Sequence, residues 1–345
     1  MVSINRKTLK KAMYYEQIGD QKIKCYLCPF ECRVKEGSVA RCMGRENIEG
    51  EFYATNYGKT TSLAMDPIEK KPLFHFYPTS QILSIAANSC NMGCSFCQNW
   101  SISQVEANTH EITPEQIVDH AIKNRSIGVA YTYSEPLMWY EFVLDTSRVM
   151  HEAGLKNIIV SNGTLSEKPL RKLLPYIDAI NIDLKGMNSR YYKKVCKSLL
   201  KPVLETIRLI KEMDTTFLEI TNLIIPGLND SDGDLDLLIN WIADLDPSIP
   251  LHLSAYHPDY KLDIPKTPID TLKRAYEKAK DKLDYVFVGN AHIEGASNTY
   301  CPRCRHLLIK RDWHHTQILG LDGNDCNHCG EEINIVMPTR QVAVV

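Results

Sequence analysis

The sequence predicts an α/β protein: a partial (βα)6 barrel with an N-terminal four-cysteine metal segment and a C-terminal ribbon-like metal module. Three observations lead there. From Gln81 onward, short β-rich runs alternate with helical patterns, which calls for parallel strands joined by right-handed crossovers. The 345 residues suffice for one large barrel-like domain with small appendages. The twelve cysteines fall into three groups, with a single one left over.

Strands are expected at Ile82 to Ala87, Gly128 to Tyr133, Asn157 to Val160, Ala179 to Leu184, Phe217 to Ile225 and Leu251 to Ala255. Tyr285 to Val288 adds a last one. Helices are expected at Pro114 to Arg125, Leu137 to Ala153, Ser166 to Leu174, Pro202 to Met213, Asp232 to Leu245 and Pro268 to Lys282. Thr113 before Pro114, with Glu115 and Gln116 behind, reads as an N-cap with proline at the first helical position. The expected boundaries are an extension over 1–80, the barrel over 81–290 and the terminal module over 291–345. In parallel barrels the loops at the carboxyl ends of the strands carry the chemistry.

Apolar content of 44% and charged content of 24% are ordinary for a soluble globular protein. A formal net charge of −2 gives no global signal for nucleic acid or an anionic membrane. The basic stretch Met1 to Lys11 is followed by no apolar run of signal-peptide length, and no window has the length of a spanning helix. The expectation is a cytoplasmic protein whose cysteines bind metal instead of forming disulfides. Cys196, which stands alone, reads as a small buried hydrophobe.

Cys90, Cys94 and Cys97 follow directly on the first barrel strand. Three thiolates hold a [4Fe-4S] cluster at three corners and leave one iron without a protein ligand. A structural zinc site closes with four ligands, and no fourth is near, since His75 and His110 are both some distance away. An open iron can chelate the amino and carboxylate groups of S-adenosylmethionine (SAM) and pass an electron to its sulfonium.

Two further groups have four cysteines each. Cys301, Cys304, Cys326 and Cys329 form two knuckles, the pattern of a closed tetrahedral site for Zn2+, with an auxiliary Fe-S cluster as the rival. Lys310, Arg311 and Trp313 between the knuckles permit stacking on a base, although basic residues on a solvated hairpin are the commoner case. Cys25, Cys28, Cys32 and Cys42 suit either zinc or a second, electron-relaying Fe-S cluster.

The spacing of Cys90, Cys94 and Cys97 resembles the signature of the radical SAM superfamily. Further marks are the segments 25–29, 68–78, 97–100, 131–136 and 202–206, then Gly289-Asn290 and Thr299 to Pro302. Together they resemble the radical SAM enzyme of the AmmeMemoRadiSam system, a group related to pyruvate formate-lyase activating enzymes. The resemblance implies that SAM is cleaved to methionine and a 5′-deoxyadenosyl radical. It implies that Thr132, Tyr133, Ser134 and Glu135 bind the SAM amino group, without the glycines the superfamily has there; Glu135 otherwise only caps the helix from Pro136. Ser161 and Asn162 would lie near the SAM carboxylate or ribose, unless Asn162-Gly163 is a plain turn.

Strand alternation puts Asp183 and Lys185 on one side of a strand end. Their Asp-x-Lys pattern resembles the activating enzymes, where it sits beside the methionyl moiety and a monovalent cation; a structural ion pair is the alternative. Glu219 and Asn222 match the family's fifth strand, and His252 or His257 would contact adenine or substrate, or serve structure. Lys197 stands where the family leads one to expect glycine. Implied partners are Memo-like and AMMECR-like proteins and a flavodoxin- or ferredoxin-type reductant. The substrate is a protein glycine, as in glycyl-radical activation, an RNA nucleotide or a small metabolite. A reading of another class is a noncatalytic metal-binding adaptor.

Overall fold

The expected strands lie side by side in chain order. The computed structural model describes residues 9–312 and 315–338. Its largest sheet has eight strands: β1 (Ser62–Pro67), β2 (Gln81–Ala86), β3 (Gly128–Tyr131), β4 (Lys156–Ser161), β5 (Ala179–Asp183), β6 (Phe217–Ile224), β7 (Leu251–Ala255) and β8 (Val286–Gly289). They are ordered from β8 to β1 without a jump. β2 to β8 are parallel, and β1 is an antiparallel edge paired to β2. Residues 62–67, expected in the extension, thus belong to the main sheet.

A helix follows each of β2 to β7: α1 (Pro114–Lys123), α2 (Tyr140–Glu152), α3 (Glu167–Leu173), α4 (Leu200–Met213), α5 (Asp232–Leu245) and α6 (Ile269–Lys280). α1 starts where the sequence signals it. Thr113 accepts from the Gln116 amide, and the Gln116 side chain accepts from the Thr113 amide, a reciprocal capping box. All four residues of β3 are buried, as expected for a strand covered on both faces. Gly128 opens β3 because a Cβ there would sit 1.9 Å from the Lys156 carbonyl oxygen. α4 buries Val203, Ile207 and Ile210 along one face, each worth roughly 1.5–3 kcal/mol of burial.

Buried polar contacts fasten the appendages to this sheet. Arg45, in an N-terminal three-stranded sheet (Lys10–Lys11, Glu51–Ala54, Arg45–Ile48), reaches Glu141 of α2 at 2.5 and 2.7 Å. Both side chains are 1% exposed. The C-terminal three-stranded sheet (Thr299–Tyr300, Leu307–Asp312, His315–Ile318) is tied down through His75. His75 Nδ1 donates to the Asn334 carbonyl at 2.8 Å, and its Nε2 accepts from Thr299 Oγ1 at 3.1 Å.

Arg311 corrects an expectation. It is buried, donates to the Phe74 carbonyl at 2.7 Å and stacks 4.4 Å over the Phe74 ring, so it is no free base-stacking cation. Trp313 lies outside the described residues. Cys196 is buried, as expected. Among the described residues, no helix is long and apolar enough to cross a membrane.

Candidate functional site: a cleft at the carboxyl ends of the strands

The loop after β2 carries Cys90, Cys94 and Cys97 into a cleft of about 340 Å³. The carboxyl ends of the following strands complete its wall. Thr132, Tyr133, Ser134 and Glu135 come from β3, Ser161 and Asn162 from β4, and Asp183 and Lys185 from β5. β6 adds Thr221 and Leu223, β7 adds Ser254, and Asn290 follows β8. Parallel α/β sheets place their sites at this edge because the strand-to-helix loops converge there.

Glu135 organises the centre of this wall. Its carboxylate accepts from Ser161 Oγ at 2.7 Å, the Asn162 amide at 2.8 Å and the Leu137 amide at 3.0 Å. It therefore caps the turn at Pro136 and also locks the end of β4 to that of β3. Burial pushes its carboxyl up to about 7, while the three donors favour its charged form. Asn162 then leans toward the cysteine loop, with Nδ2 at 3.0 Å from Asn91 Oδ1 and 3.8 Å from Cys90 Sγ. Cys97 Sγ lies 3.3 Å from Ser103 Oγ.

Lys185 Nζ is 3.2 Å from Asp183 Oδ2 and faces the Phe96 ring at 5.7 Å. Burial opposes its charge, but Asp183 and the Cys94 sulfur outweigh that and hold the ammonium well above its ordinary value. Its backbone is pinned as well. Asn222 donates to the Leu184 carbonyl at 2.7 Å and Asn229 to the Lys185 carbonyl at 2.9 Å. Lys197 adopts the left-handed conformation (φ 54°) after the π-helical turn Tyr192–Cys196, which is why glycine would be at ease there. Its side chain packs on Gly93 in the cysteine loop.

Two residues expected in the pocket lie elsewhere. Asn222 faces away from the cleft because side chains alternate along β6, and Thr221 and Leu223 take the inward positions. Counting in twos from Glu219 would have found Thr221. His252 lines a neighbouring cavity of about 290 Å³ that shares Lys70, Pro72, Ser254 and Asn290 with the cleft. Its Nε2 donates to Glu219 Oε2 at 2.6 Å, and Glu219 also accepts from the Phe74 and His75 amides. Behind the cleft wall, buried Asp66 and Lys71 hold the Tyr133 hydroxyl, a network that sequence reading missed, with Lys71 Nζ 2.6 Å from Asp66. No local pattern signals it, since Tyr133 comes from a distant segment.

The donor set fits an iron-sulfur cluster with an open iron: three thiols at one cleft and no fourth cysteine lining it. Burial pushes the Cys90 and Cys97 thiols up, whereas a hydrogen bond with Cys196 lowers that of Cys94. Ser134 Oγ and Thr221 Oγ1 are buried without a hydrogen-bond partner among the described residues, as groups awaiting a ligand would be. The C-terminal group has a different shape. Cys301 and Cys329 sulfurs lie 3.6 Å apart and those of Cys304 and Cys326 3.7 Å apart. All four are within 4.8 Å of one another, a set able to hold one metal ion.

Comparison with known proteins defines the class. Residues 84–242 match the Radical SAM superfamily. Over 337 residues, 95% of this chain and 100% of the relative, the sequence is 49% identical to the uncharacterized protein MJ0808 of Methanocaldococcus jannaschii. The chain belongs to the same family as that archaeal protein and carries a Radical SAM domain. It is also similar to the indoleacetate decarboxylase activating enzyme of Tractidigestivibacter scatoligenes, at 23% identity over 55% of this chain and 60% of that enzyme. Among solved structures, a radical SAM methyltransferase from Sphaerobacter thermophilus shares the fold, with a TM-score of 0.50, 16% identity and coverage of 62% of this chain and 67% of that one.

Proposed function

We propose that this chain is a radical SAM enzyme of the AmmeMemoRadiSam type, with a [4Fe-4S] cluster on Cys90, Cys94 and Cys97 and SAM in the adjoining cleft. The observation that carries the reading is the convergence of three cysteines, Glu135 with Ser161 and Asn162, and the Asp183–Lys185 pair on one cleft. When bound, such a cluster supplies the electron that divides SAM into methionine and a 5′-deoxyadenosyl radical, which takes hydrogen from the substrate. The protein's part is to bind, orient and shield. Glu135 fixes the ends of β3 and β4, whose hydroxyl and amide groups hold the amino-acid end of SAM. Lys185 and Asp183 supply a fixed charge pair for its methionyl moiety.

The neighbouring cavity lined by His252 gives a substrate group access to the same cleft. Similarity to an activating enzyme favours a hydrogen on a partner protein, and specifically a glycine, as the target. A flavodoxin- or ferredoxin-type donor supplies the electron, and Memo-like and AMMECR-like proteins are the proposed associates. The sequential strand order with six βα units supports a partial (βα)6 barrel, and the sulfur spacing at the C-terminal group supports structural zinc.

The test is anaerobic reconstitution, addition of dithionite and SAM, and assay of 5′-deoxyadenosine. Product is expected from the native chain, and none from Cys94→Ala. Undiminished cleavage by that variant would overturn the site assignment. Deuterium transfer from a labelled candidate substrate into 5′-deoxyadenosine identifies the hydrogen taken.

A further inference from the structure

The turn after β5 backs directly onto the cysteine loop. Asn188 caps the helical residues Ser189–Tyr191 by accepting from the Arg190 and Tyr191 amides, and the π-helical turn Tyr192–Cys196 continues them. Tyr191, Tyr192 and Cys196 are buried, and Tyr192 Oη accepts from the Lys185 amide at 3.0 Å. The Gly93 amide donates to the Cys196 carbonyl and the Ser95 amide to the Val195 carbonyl, both at 3.0 Å. Between them, the Cys94 sulfur lies 3.9 Å from the Cys196 carbonyl oxygen. Lys197, the next residue, is exposed, so the path from Cys94 to the surface is here one turn of chain.

The outer face of this turn is cationic. Arg190, Lys193, Lys194 and Lys197 are all exposed, and residues 189–204 contain no aspartate or glutamate. No carboxylate pairs with any of the four among the described residues. Arg41 joins them from the N-terminal segment. It is exposed, and it donates to the Lys197 carbonyl at 2.5 Å and to the Asn91 carbonyl at 2.8 Å. Like charges three and four residues apart cost a helix stability, so folding alone gives no reason to gather them. Leu199 beside them is 45% exposed. The chain as a whole carries a formal charge of −2, so the patch is a local feature.

The proposed chemistry takes one electron from outside for each SAM divided. None of the five cations lines the cleft, so a partner seated on them leaves it open to SAM and substrate. A substrate, whether protein or RNA, has to enter the cleft itself. An acidic electron carrier is drawn to such a patch by its charge and gains orientation from it.

Resting on the radical SAM reading of the cleft, we propose that Arg41, Arg190, Lys193, Lys194 and Lys197, beside Leu199, form the docking face for an acidic protein that carries one electron at a time. One electron passes from the carrier's reduced centre to the cluster on Cys90, Cys94 and Cys97. The carrier is oxidised by that electron, and no bond or proton is exchanged.

The experiment uses the full-length reconstituted chain and an acidic flavodoxin as probe. Binding of the oxidised flavodoxin is titrated calorimetrically at low and high salt, and reoxidation of the photoreduced form is followed by anaerobic stopped flow. R190E/K193E/K194E is expected to weaken binding and slow electron uptake at least about tenfold at low salt, with native iron content, and the gap should close as salt screens the charges. Should that variant fold poorly, R190Q/K193Q/K194Q replaces it, with a smaller loss of the same sign. K123E/K168E/K273E makes the same change of net charge on α1, α3 and α6 and should behave as the native chain. An equal loss in that control would overturn the proposal, as would native affinity in R190E/K193E/K194E or a native chain that takes no electron from the carrier. RNA binding lost in R190E/K193E/K194E, with electron uptake intact, would assign the patch to nucleic acid and also overturn it. Electron uptake with no 5′-deoxyadenosine formed would count against the catalytic reading and leave the docking face standing.

Discussion

Ser161 shows how one hydroxyl can serve two partners. It donates to Glu135 at 2.7 Å and accepts from the Gly163 amide at 3.0 Å. Ser161→Ala leaves that buried amide unpaired and is expected to cost about 1–3 kcal/mol, read from denaturant unfolding. Lys185 serves the proposed chemistry more than stability, since its partner Asp183 stays 39% exposed at the side chain. Lys185→Met is therefore expected to slow 5′-deoxyadenosine formation at least about tenfold, or about 1.4 kcal/mol, with unchanged iron content. A rate within twofold of the native chain would reduce the Asp183–Lys185 pair to a structural role. Asn222, which sequence reading put in the pocket, supports Lys185 from behind through the Leu184 carbonyl.

The elements were legible because each had a local cause. Alternation and β-rich runs marked the strands, and Thr113 with Pro114 marked the start of α1. The bend at the end of β4 needs more than the local sequence explains. Gly163 has φ 71°, and a Cβ there would meet Ile182 Cγ2 at 3.1 Å and Val203 Cγ1 at 3.2 Å. Gly163→Ala is expected to cost about 1–2 kcal/mol from the backbone alone, and to weaken SAM binding by displacing Asn162. Calorimetric titration of SAM on the reconstituted protein measures the second effect. The Asn162-Gly163 pair was visible in the sequence; the packing of Ile182 and Val203 against it was not, since those residues lie on β5 and α4. The π-helical turn at Tyr192–Cys196 likewise carries no sequence signal that alternation or capping rules detect.

At the scale of the molecule, long-range ionic and polar contacts decide how the appendages attach. The Arg45–Glu141 pair is fully buried, and removing one partner leaves an uncompensated charge. Glu141→Gln is expected to destabilise by about 3–5 kcal/mol, read from the unfolding midpoint. His75 adds a pH dependence. Burial, with Arg311 nearby, lowers its pKa from the ordinary 6.5 to about 4. Between those values the unfolded chain holds a proton that the folded one lacks, so stability falls as pH drops from 6.5 toward 4 and is fully present above 6.5. The contribution amounts to about 3 kcal/mol. His75→Gln should flatten unfolding free energy against pH in that window by nearly one proton; an unaltered slope would contradict a neutral, buried imidazole. Cys329→Ala should unfold the C-terminal module while leaving SAM cleavage measurable, because the free energy of binding that metal is folding energy.

By itself the sequence determined the order of strands and helices, the three cysteine groups and eleven of the twenty-four residues that line the cleft. Each of these depends on near neighbours along the chain or on the direction of a parallel strand, both of which local pattern records. Only tertiary structure decided that His252 belongs to an adjoining cavity, that Arg311 is buried, and that the four C-terminal cysteine sulfurs gather within 4.8 Å of one another. Those outcomes are set by distances between segments far apart in sequence, and such distances follow from packing.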